Sequence, residues 1–301
     1  MAKTLVFISD KSRVFFPYAQ SDKVHIENVW NENRRNKWKF LIRIIRKLHI
    51  VTGFFFDEWT KDIQNYSQII IFDGCYDKLL MYYLNRKNPA APKNVFCWNA
   101  KYRLVHVLSN TSYPVYSYSP RDCQVCEMQY MSTVYSKRVR LPQLPLRYDL
   151  VFLGMLKDRG DQIADVYDWC VEHGYNPEFY VVGKKAQYRN IPLKQKQLNY
   201  EEYLQMVSQS RAILDISNPG QDGLTMRVME ALFFHKKLIT TNEDIVNYDF
   251  YRPENICVLN ILNINIPEEF FKIDYIDIPE ETLNGYDMDS WVDKFKEKNG
   301  N

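Results

Sequence analysis

The residues best suited to chemistry lie in one stretch, Asp215 to Asn242. A polar turn, Ser217 to Gly223, follows the apolar run Ala212 to Ile216 and leads into helically spaced Leu224, Val228, Ala231 and Leu232. A glycine-bearing loop that opens a helix beside a strand end presents free backbone N–H groups, which makes it an anion site. Asp222 stands in that loop and Glu230 eight residues later in the helix. A second basic loop, Lys157-Asp158-Arg159, follows the apolar run that ends at Gly154, and its two cations suit a phosphate clamp. Either piece alone also fits an ordinary βαβ unit.

The elements that must position these residues alternate between apolar strand runs and helical patterns, which argues an α/β chain with parallel sheets. In the first half the runs Thr4 to Ser9, Gln68 to Phe72, Lys93 to Trp98 and Pro114 to Ser119 read as strands. Asp73, Asn99 and Ser119 then fall at strand ends, where α/β folds place ligands. No GxGxxG occurs there, so a dinucleotide site is not expected. Two prolines in Leu141 to Leu146 break the pattern and suit a linker. The expected division is residues 1–147, residues 148–265, and a tail, 266–301, that can pack back on the first domain.

With 301 residues, 46% apolar, the chain suits two domains with real cores. A net charge of +2 does not announce a nucleic-acid binder. The six cysteines are scattered, and the one CxxC, Cys123 to Cys126, has no second pair for a zinc site. Met1-Ala2-Lys3 runs straight into an apolar strand, so no secretory leader and a cytoplasmic setting are expected. One stretch is unusual: Asn33 to Ile50 holds no acid. As one helix it would gather Trp38, Leu41, Ile42, Ile45 and Leu48 on one face and Lys39, Arg43, Arg46 and Lys47 on the other. Such a helix can lie in an anionic membrane interface, or pack on its own sheet with a solvated basic face.

Two Rossmann-like halves, a proline-rich linker and a phosphate-type site in the second half resemble the GT-B glycosyltransferases. The resemblance rests on Gly154 with Lys157 and Arg159, and on an acid-x7-Glu signature matched by Asp222 and Glu230, where the usual first acid is Glu. GQDGLTMRVMEAL, KKLITTN and NYDFYRPENI resemble bacterial lipopolysaccharide and capsule glycosyltransferases, and FCWNA and YSYSPRDCQ do so more loosely. The resemblance implies two domains facing each other across a cleft, and transfer of a sugar from a nucleotide donor to a lipopolysaccharide, capsule or lipid-linked acceptor. It implies that Glu230 takes both ribose hydroxyls, Asp222 the sugar hydroxyls, and Gly154, Gly223, Leu224 and Thr225 the donor. Lys157 and Arg159 would neutralise the departing diphosphate without a metal or other cofactor, with Arg227 assisting, and Lys184 and Tyr200 would lie by the base. An inverting enzyme also needs a base in the first half, for which Asp73 is preferred over Asp10 and His25; a retaining enzyme needs none. The expected partners are a nucleotide-sugar, a glycan acceptor and an anionic membrane, with no nucleic acid, at the inner membrane face. A non-catalytic scaffold on the same fold and a nucleotide-sugar epimerase remain the alternatives.

Overall fold

The computed structural model describes residues 3–9, 16, 19–98, 112–217 and 222–299. Asp10, Asn99 and the loop residues 218–221 lie outside the described residues. The chain forms two compact units, one of Met1–Arg138 with Tyr286–Asn301 and one of Val139–Gly285. The division thus falls before the proline-rich segment rather than at Arg147. The tail is also split, because Ile266, Phe270 and Phe271 belong to the second core and only the last stretch joins the first.

The first unit opens with β1 (Lys3–Phe7), β2 (Val24–Glu27), α1 (Glu32–Lys37) and α2 (Lys39–Lys47). It continues with β3 (Tyr66–Phe72), α3 (Lys78–Lys87), β4 (Lys93–Cys97), β5 (Val115–Ser117), α4 (Pro120–Cys126) and β6 (Gln129–Tyr130). Among the described residues the strands pair in parallel in the order β2-β1-β3-β4-β5-β6. Side chains alternate across a strand, so both sheet faces must be covered. Leu5, Phe7, Ile69 and Ile71 meet Ile42, Ile45 and Trp59 on one face. Val6, Ile8, Ile70, Phe72 and Phe96 face the other, with Trp291, Val292 and Phe295.

The second unit runs β7 (Tyr148–Met155), α5 (Gly160–Glu172), β8 (Pro177–Val182), β9 (Gln187–Tyr188), β10 (Ile191–Lys194) and α6 (Tyr200–Ser208). β11 (Ser210–Asp215), α7 (Met226–Phe233), β12 (Lys237–Thr240), β13 (Ile256–Val258), α8 (Glu268–Lys272) and α9 (Glu280–Tyr286) follow. Its order is β13-β12-β11-β7-β8-β10-β9, parallel but for the β9–β10 hairpin. Leu150, Phe152 and Leu214 pack with Ile163 and Val166 of α5, while Val151 and Ile213 point to the opposite face and are also buried. Both units therefore carry the α/β, Rossmann-like plan that the resemblance implies.

The last helix, α10 (Met288–Asn299), returns to the first unit. Trp291, Val292 and Phe295 are fully buried, and the Trp291 indole donates to the Ser132 carbonyl at 2.8 Å. Gln68 of β3 donates to the Val292 carbonyl at 2.8 Å, and Lys23 and Arg138 pair with Asp293 and Asp289.

The basic stretch is not one helix. It breaks at Trp38, which caps both α1 and α2, and of its expected apolar face only Ile42 and Ile45 are buried. One protein surface covers only part of an apolar sector that wide. Arg46 is tied to Asp77 at 2.6 Å, so the acid that the stretch lacks comes from the start of α3. No helix among the described residues is long and apolar enough to cross a membrane.

Candidate active site

In each sheet the chain runs outward one way and then the other from a central strand. That reversal opens a crevice at the carboxyl ends of two neighbouring strands. In the second unit the reversal lies between β7 and β11. Asp215, the last residue of β11, is fully buried there. Its Oδ1 accepts from Thr225 Oγ1 at 2.9 Å and Arg227 Nε at 3.0 Å, and its Oδ2 accepts from Thr240 Oγ1 at 3.0 Å. Thr225 also caps α7, accepting the Val228 N–H. One carboxylate thereby ties the ends of β11 and β12 to the start of α7.

Two guanidiniums share this strand end. Arg159 lies 5.2 Å and Arg227 5.5 Å from the centre of the Phe152 ring. Arg159 is 4% exposed and donates to the carbonyls of Ile216 and Met155. Gly154 makes room for it, since a Cβ there would sit 2.8 Å from Arg159 Nη2 and 2.9 Å from the Phe152 ring. Burial first, and then the neighbouring Arg227 charge, push Arg159 down to about 10, so it stays cationic at neutral pH. Three buried polar atoms at this end have no hydrogen-bond partner among the described residues: Arg159 Nε, Ser217 Oγ and Asn242 Nδ2. They are linked, because Arg159 bonds the Ile216 carbonyl and the Ser217 N–H bonds Thr241 Oγ1 at 3.2 Å.

Glu230 sits on the buried side of α7, 2% exposed. Its two oxygens accept from Tyr200 at 3.0 Å and Tyr203 at 2.5 Å, both on α6. Of the three, only Tyr200 reaches solvent. The capping box between Asn199 and Glu202 fixes the start of α6 and so places Tyr200. Each Glu230 oxygen thus already accepts one tyrosine hydroxyl and keeps a second lone pair. Burial pushes the carboxyl up to about 7, against the opposing tyrosine hydrogen bonds and Arg227. The folded protein then binds a proton more tightly than the unfolded chain, and stability falls as pH rises from about 4.5 to about 7. A shift of that size corresponds to roughly 3 kcal/mol. Glu230→Gln should flatten this loss, and urea unfolding midpoints at pH 5 and pH 7.5 check it; a variant that keeps the wild-type pH slope contradicts the assignment.

Gly154, Arg159, Thr225, Arg227 and, through Tyr200, Glu230 converge on this region. Gly223 and Leu224 are buried just ahead of the Thr225 cap, and Asp222 is half-buried and engaged. Among the described residues Lys157 and Lys184 make no hydrogen bond or ion pair with them: both are exposed, Lys157 with φ of 43°. Asp215, Tyr203 and Phe152 were missed as site residues. Asp215 had a legible signal, an acid ending an apolar run, since a buried charge requires partners.

In the first unit the reversal falls between β1 and β3. Asp73, directly after β3, is buried and accepts the Gly74 N–H at 2.8 Å. Burial pushes the Cys97 thiol up to about 12, with Asp73 and Asp122 adding to it, so both carboxylates lie near Cys97. Asp122, on α4, is a second acid of this strand end that the sequence reading did not single out as a base. His25 is spoken for: Nδ1 meets the Tyr66 hydroxyl and Nε2 lies 2.8 Å from Glu27.

No family model matches the chain, and no curated protein does. Among solved structures it is similar to the crystal structure of the DNA modifying enzyme beta-glucosyltransferase, determined in the presence and absence of the substrate uridine diphosphoglucose. The identity is 13%, the TM-score 0.45, and the match covers 99% of this chain and 96% of that one.

Proposed function

We propose that this chain is a glycosyltransferase of GT-B type that moves a sugar from a nucleotide-sugar to a lipopolysaccharide, capsule or lipid-linked glycan acceptor. The observation that carries the reading is the strand end of β7 and β11. Arg227 pairs with the Asp215 carboxylate there, a second guanidinium, Arg159, lies beside it, and the Arg159 Nε and Asn242 Nδ2 donors are buried without acceptors among the described residues. A buried donor without a partner costs about 1–3 kcal/mol, which an acceptor-rich anion would remove. A diphosphate supplies both the charge and the oxygens. In this reading Arg159 and Arg227 stabilise the departing diphosphate and Lys157 adds charge from the exposed loop, with no metal required. Gly223 and Thr225 bring the loop close to the donor, Asp222 meets its sugar, and Lys184 lies toward the base. Tyr200 and Glu230 form the nucleoside end, the ribose exchanging with or adding to the tyrosine hydroxyls. Asp73 is the base in the first unit if the reaction inverts.

Thermal unfolding with UDP, GDP, CDP and ADP tests the donor site. One of them should stabilise the protein by about 2.7 kcal/mol at a hundred times its dissociation constant. No shift with any of them removes the reading. Release of the nucleoside diphosphate from its sugar conjugate rules against the scaffold, and product analysis without acceptor separates transfer from epimerisation.

A further inference from the structure

We propose that α1, α2 and the turn at Phe54 form a preformed surface that inserts into the headgroup region of an anionic lipid bilayer. At about 100° per residue, α2 divides into three stripes. Ile42 and Ile45 point inward, 6% and 8% exposed, and pack in the core of the first unit. Lys39, Arg43, Arg46 and Lys47 form one outer flank. The other outer flank is apolar and bare: Phe40 is 74% exposed, Leu48 64%, and Leu41 and Ile44 37% each. Phe40, Ile44 and Leu48 are spaced i, i+4, i+8, so they stand one above another as a ridge. Trp38, Ile50 and Phe54 extend the exposed apolar surface at 43%, 46% and 51%. Isolated exposed apolar side chains are ordinary, whereas a run of them on one element marks a surface that meets something.

Charge identifies what it meets. From Asn33 to Phe56 there is no acid, and Arg34, Arg35, Lys37, Lys39, Arg43, Arg46 and Lys47 all carry positive charge. A second copy of the chain would bring two such flanks together and repel. A nucleic acid would match the charge but gain nothing from Phe40, Ile44 and Leu48. An anionic bilayer rewards both flanks at once, apolar side chains below the phosphates and cations among them.

The surface is also fixed in advance. α2 ends with His49 at φ of 53°, and the Leu48 and Ile50 N–H groups reach back to Ile44 at 2.9 Å and Ile45 at 3.1 Å. Arg34 donates to the Phe54 carbonyl at 3.0 Å and lies over its ring at 5.1 Å. Arg46 is held by Asp77 and acts as a strut, so the lipid-facing set becomes Phe40, Ile44, Leu48 and Phe54 with Trp38, Lys39, Arg43 and Lys47. The proposal does not depend on the glycosyl-transfer reading, because its test contains neither nucleotide nor sugar.

The test is sedimentation of the full chain with vesicles of phosphatidylcholine alone or with roughly a third phosphatidylglycerol. The expected result is binding to the anionic vesicles at least ~10-fold tighter than to the neutral ones. Each surface cation is worth about fivefold, so Lys39→Glu/Arg43→Glu/Lys47→Glu should weaken binding by ~100-fold or more. Phe40→Ser/Ile44→Ser/Leu48→Ser keeps every charge and alters only exposed side chains, and it should weaken binding at least ~10-fold with an unchanged urea midpoint. No sedimentation with anionic vesicles overturns the proposal, as does a serine variant that binds them like wild type. Tighter binding to duplex DNA than to the anionic vesicles at equal salt makes the surface a nucleic-acid site and overturns it too. A dimer broken by the serine variant, without vesicle binding, assigns the ridge to a second copy instead.

Discussion

Asp215→Ala should destabilise the second unit by about 3–5 kcal/mol, read as a fall in the urea midpoint. The carboxylate is fully buried and accepts hydrogen bonds from three side chains, Thr225, Arg227 and Thr240. Alanine leaves the Arg227 guanidinium, whose side chain is only 18% exposed, without its counter-charge and close to the Arg159 cation. It also frees Thr225, so the cap of α7 loses its anchor to the sheet. Asp215→Asn separates the contributions: it can still accept from a threonine but carries no charge, and should recover about half of the loss. A midpoint for the alanine variant within about 1 kcal/mol of wild type would show that the arginines find other acceptors, and that the carboxylate is no hub.

Much of this arrangement was legible from residue types alone. The runs Gln68 to Phe72 and Ala212 to Ile216 are long enough and apolar enough to be central strands, and they are β3 and β11. Gly154 before a basic loop and the polar turn Ser217 to Gly223 before a helical run marked the two strand ends that the topology joins. What escaped the sequence depended on tertiary contacts. β2 and the β9–β10 hairpin are too short to show a period, and their registers come from neighbouring strands. Lys157 and Arg159 are two residues apart in one turn, yet one is exposed and the other buried, because a short 3-10 turn sends them opposite ways. The burial of Glu230 was implicit in a helix whose residues from Val228 to Leu232 are apolar apart from it. Its hydroxyl partners come from α6, roughly a whole βα unit earlier, and nothing local announces them. The sequence placed Trp38, Leu41, Ile42, Ile45 and Leu48 on one apolar face and left out Phe40 and Ile44; which of these meet the core, Ile42 and Ile45 alone, was decided by the sheet.

Arg159→Met should separate fold from chemistry. The side chain is 4% exposed, its Nε has no partner, and its charge is opposed by burial and by Arg227. Such a cation is a poor contributor to stability, and exchange of a buried charge for an apolar group of similar length is neutral or stabilising by about 1–4 kcal/mol in comparable settings. Methionine is flexible enough to fill the space over Phe152 that Gly154 leaves open. The urea midpoint should therefore hold or rise. Turnover should move the other way: loss of one preorganised positive group facing a departing diphosphate costs about 10²- to 10³-fold in kcat. The substrate for this measurement is the sugar conjugate of whichever nucleoside diphosphate gives the thermal shift. Lys157→Ala is the comparison, and should cost less because an exposed ammonium is screened by water. If Arg159→Met lost stability and activity together, the guanidinium would be a structural tie between β7 and β11. If it lost neither, the anion would bind elsewhere. A firmer fold with poorer turnover is the outcome expected of an arginine whose main work is toward a ligand, with its bonds to the Ile216 and Met155 carbonyls secondary to the fold.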